Sequence, residues 1–194
     1  MLRMVTLMDM IEGIAGSIWV GAITLVYVKE ALHQSVQWWG YINSSYYIGT
    51  ILGGIFTLWL AKKIQKHLIL SMAIGSALFS ILTLLYGLSS IPILSLILCL
   101  GMGPAYQLRD VAQQTALQTN VDSALLPKVY ASRSIILSTI TSFSISLVGL
   151  IADVIGIRWV YILGASLIAF SAMLSFTIIK IQKRQEEPTT NIPI

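Results

Sequence analysis

Charge is scarce in this chain of 194 residues: 12 Lys and Arg with 8 Asp and Glu make up only 10% of it, whereas a soluble domain carries roughly 25%. Cysteine is scarcer still. Cys99 is alone, which excludes an internal disulfide and fits a small buried hydrophobe in an apolar run. The two histidines, His33 and His67, fall in loops, so Ser166 in Gly164-Ala165-Ser166 lacks a base within a span and an intramembrane serine protease is a poor reading. No metal cluster, phosphate-binding glycine loop or nucleotide motif is present, so no cofactor is expected and direct use of ATP by this chain is disfavoured.

What the chain does have is apolar length. Hydrophobic residues make up 56% of it, gathered into six stretches at about 5–28, 38–60, 68–88, 91–117, 129–154 and 159–179. Each reaches the roughly 20 residues needed to cross a hydrocarbon core as a helix, and lipid offers an unpaired backbone amide no other partner. The expectation is an all-α integral membrane protein of six transmembrane helices. The first stretch is full length and carries acidic residues, so it reads as a span and not as a cleaved signal peptide.

The net charge of +4 does not point to nucleic acid, because the basic residues are sorted by topology. Arg3, Lys62, Lys63, Lys66, Lys128, Arg133, Lys180, Lys183 and Arg184 mark one side, while the other connections hold only Lys29 and Arg158, beside Glu30 and Asp153. The positive-inside rule puts both termini in the cytoplasm, in the cell membrane. Trp38, Trp39, Tyr86 and Trp159 fit as outer aromatic anchors, and Trp59 and Tyr130 as inner ones. Residues 181–194, with Glu186, Glu187, Pro188 and Pro193, read as a disordered cytoplasmic tail.

Sliding the sequence by about 91 positions sets Leu60-Ala61-Lys62-Lys63-Ile64 on Ile151-Ala152-Asp153-Val154-Ile155, and Phe79-Ser80 on Phe170-Ser171. The offset divides residues 1–180 into two three-helix repeats, 1–88 and 89–180, of opposite orientation, a building plan of secondary transporters. With the loop Leu60-Ala61-Lys62-Lys63-Ile64-Gln65-Lys66-His67, which is similar to the G-x-L-A-D-R-x-G-R-K loop, the chain resembles the C-terminal six-helix half of a major facilitator superfamily transporter. It departs from that loop where Lys62 replaces the family's Asp and Gln65 its second Gly. Gly149-Leu150-Ile151-Ala152-Asp153-Val154-Ile155-Gly156-Ile157-Arg158 keeps the Ala-Asp, Gly and Arg elements on the outer side, and the branch that the chain brings to mind is drug and macrolide efflux. The resemblance implies a small-molecule substrate and a missing N-terminal half, supplied by another polypeptide or by a second copy of the chain. It also implies that helices three and six face lipid while the other four line the cavity.

Ionisable groups within spans cost on the order of 3 kcal/mol and so prompt functional readings. Asp9, Glu12, Gly16 and Trp19 share one face of helix one. Counting inward at about 1.5 Å per residue, Glu12 and Arg109 lie at matching depths, which predicts that Arg109 pairs with Glu12 or Asp9. Arg109, Asp110 and Gln113 on helix four, with Asn43 and Tyr47 on helix two, complete the substrate and coupling-ion candidates. Thr50 and Gly54 extend the helix-two stripe, Gly49 and Gly53 form a G-x-x-x-G pair, and Ser134, Ser138, Thr141 and Ser142 stripe helix five. Gly101-Met102-Gly103-Pro104 predicts a weakened helix four. The expected function is proton-coupled transport of the drug-efflux type. Alternatives are a membrane-embedded substrate-capturing subunit of an ATP-driven uptake system and an inactive truncated remnant.

Overall fold

The computed structural model describes residues 2–186, and side-chain surroundings for 6–177. Among the described residues the regular structure is all helical, without strands. In chain order the elements are α1 (Leu2–Gly16), a 3-10 turn (Ser17–Trp19), α2 (Gly21–Glu30), α3 (Val36–Trp59), α4 (Ala61–Lys66), α5 (Leu68–Leu88), α6 (Pro92–Asn120), α7 (Leu126–Ile155) and α8 (Ile157–Glu186). The last helix carries past Gln182, so the start of the expected tail is helical. Residues 187–194 lie outside the described residues.

Among the described residues, three helical stretches are long and apolar enough to cross a membrane: Leu68–Leu88, Leu126–Ile155 and Ile157–Thr177. The pair Thr6–Trp19 and Gly21–Glu30, bent by 51°, makes a fourth if it is one span. Length and composition alone thus single out three or four of the six expected stretches. The helices α3 and α6 are long but more polar: Asn43, Ser44 and Ser45 dilute the first, and Gln107, Arg109, Asp110, Gln113 and Gln114 the second.

The connections after α2, α5 and α7 meet at one end of the bundle. There Arg158 donates to the Leu88 carbonyl at 3.0 Å, to Ser90 Oγ at 2.7 Å and to the Ala31 carbonyl at 3.3 Å. The opposite end is closed by Ile64, Met72, Ala112, Ala116 and Leu117, with Leu68 and Tyr130 packed around them. Successive long elements therefore run antiparallel. Proline sits in the first turn of both α6 and α7, where its missing N–H is no loss. Gly156 ends α7 at φ +94°, a backbone that side chains resist, and its N–H bonds to the Ala152 carbonyl.

The break falls in the first rod. Ser17 bonds back to the Ile14 carbonyl at 2.6 Å, and Val20 turns extended at ψ 138°. The backbone groups freed by the break find new partners: the Tyr161 hydroxyl donates to the Ile18 carbonyl at 3.4 Å, and the Val20 carbonyl accepts from Ile23 and Thr24. Gly164 of α8 lies against Ile18, whose side chain would have to move to admit a Cβ.

Helix α6, by contrast, runs through Gly101-Met102-Gly103-Pro104 unbroken. Pro104 frees the Leu100 carbonyl, and Gly49 of α3 closes on that carbonyl so tightly that a Cβ there would overlap it. A Cβ on Gly53 would come within 2.5 Å of the Pro104 Cα, and one on Gly103 would overlap the backbone of Gly49 and Thr50. Small residues on both helices let the backbones touch, which drives helix association in lipid. Helix α5 packs between α6 and α8, and α1 rests on α7 and α8. Only 17% of the α7 span is buried, against 44% for α8.

Candidate functional site

The break in the first rod turns Trp19 into an aromatic cluster. Its ring lies 5.1 Å from Tyr86, 5.3 Å from Tyr161, 6.3 Å from Phe79 and 6.4 Å from Tyr46. Edge and offset pairs of this kind contribute about 0.5–1.5 kcal/mol each beyond simple burial. Beside the cluster lies a cavity of about 270 Å³. Glu12, Gly16 and Trp19 line it from the first rod, Asn43, Tyr46 and Tyr47 from α3, Phe79 from α5, Cys99 and Tyr106 from α6, and Ile168 from α8.

Glu12 joins this cavity to a buried charge network. Its Oε2 lies 2.7 Å from Arg109 Nε, with side-chain exposures of 2% and 13%. The N–H does not point along that line, so the contact is an ion pair and not an aligned hydrogen bond. The other oxygen, Oε1, accepts from Ser76 at 2.9 Å and from Ser171 at 2.8 Å. Arg109 also sits over the Tyr106 ring, 5.5 Å from its centre, and donates to Gln113 Oε1 at 3.4 Å.

Gln113 carries the network onward, because its Nε2 donates to Asp9 Oδ1. Asp9 in turn takes a two-pronged bond from Arg133, Nε to Oδ2 at 2.5 Å and Nη2 to Oδ1 at 2.9 Å. Two carboxylates and two guanidiniums are thus linked through one amide across α1, α6 and α7. Removing one partner of such a pair leaves an uncompensated charge among apolar helices, a loss of about 3–5 kcal/mol. Among the described residues no group of three or more metal-ligating side chains exists.

The profile of the Major Facilitator Superfamily matches residues 5–193. The chain belongs to that superfamily. Its members are membrane transporters, not enzymes. Two relatives from Bacillus subtilis (strain 168) are similar along nearly all of this chain. It is 40% identical to the "Uncharacterized MFS-type transporter YfmI" over 183 residues, 94% of this chain and 45% of that protein. It is 34% identical to the "Uncharacterized MFS-type transporter YjbB" over 173 residues, 89% of this chain and 43% of that protein. The chain thus spans less than half the length of either relative. No solved structure matches it significantly.

In this superfamily member the face of helix one predicted to carry chemistry does come together. Asp9 and Glu12 are buried, and Glu12, Gly16 and Trp19 reach the cavity. Arg109 pairs with Glu12, and Gln113, 1% exposed, bridges to Asp9. Asp110 stays half-buried and joins neither pair. Asn43 lines the cavity while its amide donates to the Trp39 carbonyl, and Tyr47, 62% exposed, stands at the rim. Thr50 and Ser142 bond to carbonyls of their own helices.

Three expectations need correcting. Tyr86 is not an interfacial anchor: it is fully buried, stacked on Tyr27 at 4.4 Å. Helices α5 and α8 do not merely face lipid, since Phe79 and Ile168 line the cavity and Ser76 and Ser171 hold Glu12. Arg133, read as a marker of the inner surface, is the partner of Asp9. Sequence reasoning missed Arg133, Ser76 and Ser171 in these roles. The available signal was a pair of serines one turn apart on each of two very apolar helices, Ser76 with Ser80 and Ser171 with Ser175.

Proposed function

We propose that this chain is the C-terminal six-helix half of a secondary transporter of the drug-efflux type, an antiporter in the cell membrane with both termini in the cytoplasm. In this reading α1 and α2 form one broken span and, with α3, α5, α6, α7 and α8, make two inverted three-helix repeats. The cavity beside Trp19 is this half's share of the substrate path. Glu12, at once a wall of that cavity and a member of the ion-pair network, is the observation that carries the proposal. A carboxylate so placed can couple a proton to substrate movement, since either ligand alters the charge that Arg109 must balance.

The weakly covered α7 and the exposed Ile48, Ile51, Leu52 and Ile55 of α3 support packing against a second six-helix body. That body is an N-terminal half or a second copy of the chain.

The test is dye extrusion from energised membrane vesicles holding the chain, alone and with an N-terminal half taken from one of the longer relatives. Extrusion driven by an imposed proton gradient is expected, with Glu12→Gln losing the gradient-driven part when extrusion is normalised to the folded protein in the vesicles. Equal extrusion by Glu12→Gln and the parent would refute the coupling role, and none from any combination would refute transport by this half.

A further inference from the structure

At the basic end of the bundle, Lys63, His67 and Ser71 border a second cavity, of about 190 Å³, whose depth is formed by Leu70, Ile74 and Leu108. Lys63 and His67 are exposed, as are Lys62 and Lys66 beside them, and none of the four joins an ion pair among the described residues. Nothing nearby in sequence balances them: no acidic residue occurs between Glu30 and Asp110. Below these side chains, Leu70, Ile74, Leu78 and Ile81 stay 40–55% exposed. Their spacing of four, four and three residues forms one continuous apolar stripe down α5.

We propose that this cleft binds one anionic phospholipid. Its phosphodiester sits between Lys63, His67 and Ser71, and one acyl chain lies along Leu70, Ile74 and Leu78. The chemistry favours an intact lipid over a soluble phosphate, because the cationic mouth opens directly onto the apolar stripe of a membrane-spanning helix. A cluster of lysines at a membrane surface also selects anionic headgroups, at about fivefold per engaged cation. The site rests on α5 being a span and on nothing in the transport reading.

Native mass spectrometry of the purified chain, given equal amounts of phosphatidylglycerol and phosphatidylcholine, tests it. The parent retains phosphatidylglycerol at least fivefold over phosphatidylcholine, and Lys63→Gln with His67→Gln brings the ratio close to one. Lys29→Gln, at the opposite end, leaves the ratio unchanged. Ile74→Trp, which fills the acyl groove without touching the charges, lowers retention of both lipids. Equal retention of the two lipids by the parent overturns the site, as does an unaltered ratio in the Lys63/His67 variant. Displacement of bound lipid by excess glycerol phosphate overturns the lipid in favour of a soluble anion.

Discussion

Ser76 of α5 and Ser171 of α8 donate to the same oxygen of Glu12, at 2.9 and 2.8 Å. Two helices whose spans hold a single charge, Arg158 in the first turn of α8, thereby hold the acidic group of a third. Each hydroxyl is fully buried, so neither can be replaced by water without rearrangement. Ser76→Ala or Ser171→Ala should each destabilise the chain by about 1–3 kcal/mol, and the double variant by less than the sum, since the carboxylate shifts once. Tryptophan-monitored unfolding in detergent checks this, and additive losses would show that the hydroxyls act separately.

The two ion pairs should respond differently to exchange of partners. Asp9 and Arg133 meet in a two-pronged bond beside an amide, and Gln113 can present either its oxygen or its nitrogen. Glu12 lies between two hydroxyl donors already set for an anion. Asp9→Arg with Arg133→Asp should therefore recover a larger share of the single-variant loss than Glu12→Arg with Arg109→Glu. Folded yield and melting midpoint decide it, and equal recovery would show that the serines do not discriminate.

The contact of α3 with α6 makes a steric prediction. Gly49→Ala should cost about 2 kcal/mol or more, because the added carbon meets backbone that cannot swing aside. Gly40→Ala, in the same helix with open space around it, should gain about 0.5–1 kcal/mol from reduced backbone freedom. Thermal melts of the two variants should move in opposite directions.

Trp19 offers a separation of shape from polarity. Its Nε1 is buried without a hydrogen-bond partner, while its ring touches four others. Trp19→Phe should lose little, whereas Trp19→Ala should lose about 3–5 kcal/mol. Similar large losses in both variants would indicate an unseen partner, such as a buried water, on the indole nitrogen.

The sequence made the apolar stretches, the charge sorting and the shared face of Asp9 and Glu12 legible because each is a property of one helix. Pairing across the bundle is another matter. Asp9 meets Arg133 across 124 positions and Glu12 meets Ser171 across 159, and no periodicity within a helix reports which face turns toward which. The break shows the same limit. Gly101-Met102-Gly103-Pro104 has every local mark of one, yet Gly49 closes on the freed Leu100 carbonyl and the helix persists. At Ser17 to Val20 the local marks are fainter, but the cluster of Trp19 with Tyr86 and Tyr161 rewards the turn.

One further consequence belongs to Cys99. It is the only thiol in the chain and it is fully buried in the cavity wall, so the folded parent should stay silent to a maleimide. Tyr47→Cys, at the exposed rim of the same cavity, should then add one reactive group that alkylates more slowly whenever a compound occupies the space. Candidate ligands can be ranked by that rate against a blank background, before any flux is measured.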